Sequence, residues 1–168
     1  MTNGSEPTDS SGESAALSPA QLEHYLRTRI PLARAMEVRV EQACADEVVL
    51  AAPLAPNSNH RGTLFGGSAA AIAILAAWAL LKLRLQSNGI AATLVIQQND
   101  MQYELPVSGA FRARSALASA ESWERFLDTL RRRQRARITV TATLEQEGAV
   151  AARFSCRFVA LVTGSDEA

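Results

Sequence analysis

The chain has 168 residues, 48% hydrophobic and 20% charged, which suits one globular domain with a real core and leaves no room for a second catalytic domain. Lysine plus arginine and aspartate plus glutamate both number 17, so no global field recruits nucleic acid or an acidic membrane. The two cysteines, Cys44 and Cys156, lack metal-ligand spacing and read as buried free thiols, not as a disulfide framework or zinc site.

Residues 1–17 are polar and lack the basic and apolar stretches of a targeting segment, which predicts a disordered leader on a cytoplasmic protein. Ser18 before Pro19 caps a short helix carrying Leu22, Tyr25 and Leu26, expected to end before Pro31. From Met36 the pattern is extended: Met36, Val38 and Val40, then Val48–Ala51, predict a hairpin. Residues 53–62 are too rich in Pro, Asn and Gly to continue a sheet. The helix that follows, Gly67 to Leu85, is apolar on nearly every face, which predicts a helix surrounded by structure. Its uninterrupted apolar run, Ala69–Leu81, falls short of the ~20 residues a membrane span needs. Lys82 and Arg84 complement the dipole in its last turns, and Ser87-Asn88-Gly89 stops it.

Residues 92–98 and 102–116 read as strands broken near Pro106, and Trp123, Phe126, Leu127 and Leu130 share one face of a short amphipathic helix. Ile138–Leu144 and Phe154–Phe158 alternate most clearly, with Gly148 at the turn between them. No βαβ series exists, so the pattern predicts an α+β domain over residues 18–163. In it, an antiparallel sheet of about six strands wraps around a central apolar helix, and 164–168 form a flexible tail.

The densest chemistry is Asn59-His60-Arg61-Gly62-Thr63-Leu64-Phe65-Gly66-Gly67-Ser68, a polar, glycine-rich loop delivered onto a helix N-terminus. Unpaired amides and the positive end of the dipole there suit an oxyanion or a thioester carbonyl. The glycines serve equally well to let a helix enter a crowded core. A phosphate-binding loop would need Lys at position 68, where Ser68 stands, and a serine triad in the nucleophile-elbow order needs a downstream histidine, whereas His24 and His60 both precede Ser68. His60 has no partner at ligand spacing, so no metal is expected. Arg131, Arg132, Arg133, Arg135 and Arg137 form either a solvated basic patch or a dock for phosphates, and no interleaved aromatics favour nucleic acid.

Asn59-x-x-Gly62-x-x-Phe65-Gly66-Gly67 before an apolar helix resembles the N-x-x-G-x-x-H-G-G signature of hotdog-fold thioesterases, and Tyr103-x-x-Pro106-Val107 resembles the strand that follows. Pro31-Leu-Ala-Arg-Ala-Met36, the loop, and Arg131-Arg-Arg with Arg135-Ala-Arg-Ile138 are similar to the YiiD C-terminal-domain type, over about Leu22 to Val162. The resemblance implies a hotdog fold and a thioesterase acting on acyl-CoA or acyl-carrier-protein substrates without a cofactor. It also implies a homodimer paired through the strand around Leu94–Tyr103, with a dimer of dimers left open. The family's helix carboxylate falls seven residues after Gly67, where this chain has Ile74, and Phe65 replaces the motif histidine. Candidate replacements are therefore His60 and Asp100, with Asp100 as general base, Asn59 orienting water or carbonyl, and the Gly66 and Gly67 amides holding the oxyanion. Thr63, Phe65, Ser68, Asn99, Arg133 and Arg135 are expected to bind substrate. Asp100 as a solvated strand residue, and the whole protein as a non-catalytic acyl-thioester binder, are the competing readings.

Overall fold

Ser18 opens the first helix by a reciprocal cap: its hydroxyl accepts from the Gln21 amide, and the Gln21 side chain accepts from the Ser18 amide. The computed structural model describes residues 17–117 and 119–163, so the expected leader (apart from Leu17) and the 164–168 tail lie outside the described residues. Helix α1 (Pro19–Arg29) buries Leu22 and Leu26. Pro31 then starts a separate short helix, α2 (Pro31–Ala35), which the sequence reading did not resolve. Because α2 runs into Met36 and Glu37 takes a left-handed turn (φ 56°), the first strand starts at Arg39 and not at Met36.

Strands β1 (Arg39–Ala43) and β2 (Glu47–Ala52) form the expected hairpin, and helix α3 (Gly66–Ser87) follows the loop. The other elements are β3 (Ala92–Tyr103), β4 (Phe111–Ala116), α4 (Ala120–Arg133), β5 (Arg135–Gln146) and β6 (Ala149–Val162). The sheet order is β1-β2-β4-β5-β6-β3, with every neighbouring pair antiparallel. The sheet therefore has the expected six strands, with α3 as its central apolar helix. One expectation is corrected: the chain does not break after Gln98. An irregularity at Gln97 shifts the register by one residue, and β3 pairs with β6 through to Tyr103.

α3 has 22 residues, long and apolar enough to cross a bilayer, and most of that apolar surface packs against the sheet. Ile72, Ala73, Ala76, Ala77, Leu80 and Leu81 are fully buried, and each large aliphatic side chain so removed from water contributes about 1.5–3 kcal/mol. The helix is not enclosed all round, as its composition suggested. Ala71, Ile74, Trp78 and Lys82 lie at helical spacing and are only half-buried, with exposed Gly67 at the head of the stripe. β4 ends at Ala116 opposite Thr141, so the first half of β5 has no strand on that side. α4 packs there, adding Trp123, Phe126, Leu127 and Leu130 to the same core as α3. Cys156 sits in that core, whereas Cys44 is exposed, which corrects the expectation of two buried thiols.

Candidate functional site at the N-terminus of the central helix

Residues 53–65 form a loop pinned from below and organised from within. Asn57 is buried and donates from Nδ2 to the carbonyls of Met36 (3.0 Å) and Pro53 (2.8 Å), while its own carbonyl accepts from the Phe65 amide (2.8 Å). A buried asparagine cannot be told from a turn asparagine by sequence, and this anchor went unnoticed there. Asn59 does the internal work. Its Oδ1 accepts from the amides of Arg61 (2.8 Å) and Thr63 (3.3 Å), and its Nδ2 donates to Thr63 Oγ1 (2.9 Å) and the Leu64 carbonyl (3.3 Å). That occupies both donors and both principal acceptor sites of the amide. Asn59, expected to orient water or substrate, is thus engaged within the loop that it and Thr63 build. Gly62, at φ +75°, makes the turn that Asn59 encloses, with its amide on the Asn59 carbonyl (3.1 Å).

This frame sets the entry into α3. Phe65 is the N-cap residue and offers no side-chain cap, so among the described residues the amides of Gly66, Gly67 and Ser68 have no recorded partner. Ala69 is the first to close a helical bond, to the Phe65 carbonyl (3.0 Å). The exposed Phe65 ring lies directly over Gly67, where any Cβ would collide with it. The Tyr103 hydroxyl donates to the Gly66 carbonyl (2.9 Å). The first turn thus presents the free N–H groups of Gly66, Gly67 and Ser68 beside the Phe65 and Tyr103 rings, at the positive end of a 22-residue helix.

The remaining expected residues separate by register. Directly paired antiparallel residues point to the same face of the sheet. Asn99 pairs with Cys156, on the core face, and Asp100 pairs with Ser155, on the outer face, where it lines a shallow depression with Thr141, Thr143 and Arg153. Within its own chain Asp100 therefore points away from α3. A second copy paired along β3 would continue the same sheet and leave Asp100 on the same outer face. Ile74 lies two turns beyond Gly67 on the open stripe, so the position of the family carboxylate faces the site and is apolar. His60 is exposed on the loop, and Ser68 is half-buried in the first turn.

Arg133 and Arg135 are exposed at the opposite end of β5 from the loop. With Thr129 and Arg137 they line a trough of ≈ 350 Å³, and no carboxylate is among its lining residues. Elsewhere Arg27, Arg84, Arg112, Arg114, Arg125, Arg132 and Arg153 pair with carboxylates. Glu47 and the Arg114 guanidinium are 2.7 Å apart, and that hydrogen bond raises the Arg114 pKa despite some burial. Burial pushes the Cys156 thiol up to about 12, so Cys156 is no nucleophile.

A sequence profile described as "Putative thioesterase (yiiD_Cterm)" matches residues 19–162. A solved protein of unknown function from Chlorobaculum tepidum is 29% identical, with 89% of this chain and 100% of that chain covered at a TM-score of 0.81. A putative thioesterase from Shewanella oneidensis is 24% identical, covering 85% of this chain and 96% of that one, at 0.76. A thioesterase from Haemophilus influenzae is 12% identical, covering 91% and 97%, at 0.72. The latter two likenesses are of fold.

Proposed function

Because the chain belongs to the family described as putative thioesterase (yiiD_Cterm), a group with the hotdog fold, we propose that it hydrolyses acyl thioesters carried by coenzyme A or an acyl-carrier protein. The observation that carries this reading is the set of free amides at Gly66, Gly67 and Ser68, held in place by the Asn59 loop. The thioester carbonyl sits in front of them. Water adds to the carbonyl carbon, the oxygen becomes an oxyanion held by the amides, and collapse breaks the C–S bond. The carrier leaves as a thiol and the acyl group as a free acid. Preorganised backbone donors of this kind are worth about 10²–10³ in rate each.

With Ile74 on the open stripe and Asp100 on the outer face, neither position supplies a carboxylate to the water. Asn99, on the inner face, orients it, and hydroxide or the loop imidazole of His60 supplies the basicity. A homodimer fits the same picture. β3 is a 12-residue edge strand with exposed Val95 and Tyr103, and a second copy pairing antiparallel along it satisfies that edge. Such pairing brings the arginine end of one copy toward the loop end of the other, where Arg133 and Arg135 meet the coenzyme A phosphates.

Release of free thiol from a panel of short, medium and aryl acyl-CoAs tests the reading. Turnover is expected, Asp100→Asn is expected to match wild type, and the logarithm of the rate should rise by one for each pH unit from about pH 6 to 8. Loss of turnover in His60→Ala would assign the base to His60. Acyl-CoA binding with no hydrolysis of any substrate would replace the enzyme by an acyl-thioester binding protein, the reading that Ile74 favours.

A further inference from the structure

The stripe that begins at Gly67 ends in a cleft of ≈ 630 Å³ between α1, the last turns of α3 and the start of β3. Tyr25 and Trp78 stack there, 6.0 Å apart and 12° from parallel. The Lys82 ammonium lies 5.0 Å from one ring centroid and 5.5 Å from the other. Lys82 is half-buried, and among the described residues it has no carboxylate within ion-pair distance. One turn further on, Gln86 lines the same cleft, and its Oε1 is buried without a hydrogen-bond partner. Leu85, Ile90, Ala92 and Leu94 supply apolar wall, and no acidic residue lines the cleft.

Two aromatic faces steady the ammonium by about 0.5–2 kcal/mol, and a bound anion would add the ion pair that no carboxylate among the described residues supplies. We infer that the cleft formed by Tyr25, Trp78 and Lys82 is a binding site for a flexible, mostly apolar chain ending in an anion, with Lys82 pairing the anion. Two sources offer that chemistry: the carboxylate of an acyl chain, and the phosphate of a pantetheine arm with its amides. Lys82 lies 15 residues beyond Gly67, about 22 Å along the helix. The inference concerns binding alone, so it stands or falls separately from thioester hydrolysis.

Trp78 reports the site directly. The chain has two tryptophans, and the other, Trp123, packs beneath the Arg84 guanidinium elsewhere in the core. In a Trp123→Phe background, fluorescence titrations compare octanoate with octanol, and 4′-phosphopantetheine with pantetheine. In at least one pair the charged member should bind about tenfold to hundredfold tighter, and the pair that discriminates identifies the source of the anion. Lys82→Met, which keeps the stem, should abolish the difference, and Lys82→Arg should retain it. The inference is overturned if neither charged ligand saturates, if both pairs bind alike in the parent, or if Lys82→Met still discriminates.

Discussion

Replacing Asn59 probes the loop more sharply than any change at the helix itself. Asn59→Ala removes four hydrogen bonds at once. The Arg61 amide is exposed and turns to water at little cost. The Thr63 amide and the Leu64 carbonyl are part-buried, and each loses a bond worth about 1 kcal/mol net, so about 2 kcal/mol of local stability goes. Because Phe65 and the first turn of α3 follow within a few residues, the free amides then lose their fixed aim, and a displacement of about 1 Å is enough to cost roughly 10²-fold in rate. Asn59→Asp separates the two halves of the role: it keeps the acceptor for Arg61 and Thr63 but sets a carboxylate oxygen against the Leu64 carbonyl. Thiol release from the best acyl-CoA, in a Cys44→Ser background to remove the exposed thiol, gives the rate, and urea unfolding gives the stability. Both variants should lose activity, Asn59→Ala with a lowered unfolding midpoint. An Asn59→Ala protein with wild-type rate and midpoint would refute the claim that this side chain builds the site.

Gly67→Ala forces the Phe65 ring aside, and since that ring is exposed the fold should lose under about 1 kcal/mol while kcat/KM changes clearly; a double variant with Phe65→Ala should then show no further effect of position 67. The Cys156 thiol, pushed up to about 12 in the fold, keeps its proton where the unfolded thiol loses it. Stability therefore falls as pH rises above about 9, by up to ~1.4 kcal/mol per pH unit, in wild type but not in Cys156→Ala, as urea unfolding between about pH 8 and 11 would show. Arg133→Ala with Arg135→Ala should weaken hydrolysis of an acyl-CoA while sparing the same acyl group on truncated pantetheine, and equal loss on both substrates would count against phosphate docking.

Most of the fold could be read from spacing alone. The alternations of Ile138–Leu144 and Phe154–Phe158 became β5 and β6, and the apolar stretch after the loop became α3, because each buries the side chains its period predicts. The sequence failed where position depends on a single residue. Gln97 takes up a register irregularity that periodicity cannot anticipate, and it sends Asn99 inward and Asp100 outward, reversing which of the two can serve the site. Asn59 was visible as a motif residue, but whether its amide faced ligand or loop is a matter of hydrogen bonds across four residues. Lys82 reads as a dipole partner by its place in the last turns, and only the packing of α1 on α3 puts it over two aromatic rings. Ile74 is the opposite case, since its departure from the family pattern is plain in sequence and the structure places it on the open stripe.

The claim that the helix N-terminus binds the reacting carbonyl is tested most directly by a crystal structure with an acyl-CoA analogue whose sulfur is replaced by methylene, which keeps the carbonyl and cannot be hydrolysed. The account predicts the carbonyl oxygen about 2.7–3.1 Å from at least two of the amide nitrogens of Gly66, Gly67 and Ser68, beside the Phe65 and Tyr103 rings. A carbonyl bound elsewhere, with those amides facing only solvent, would contradict it.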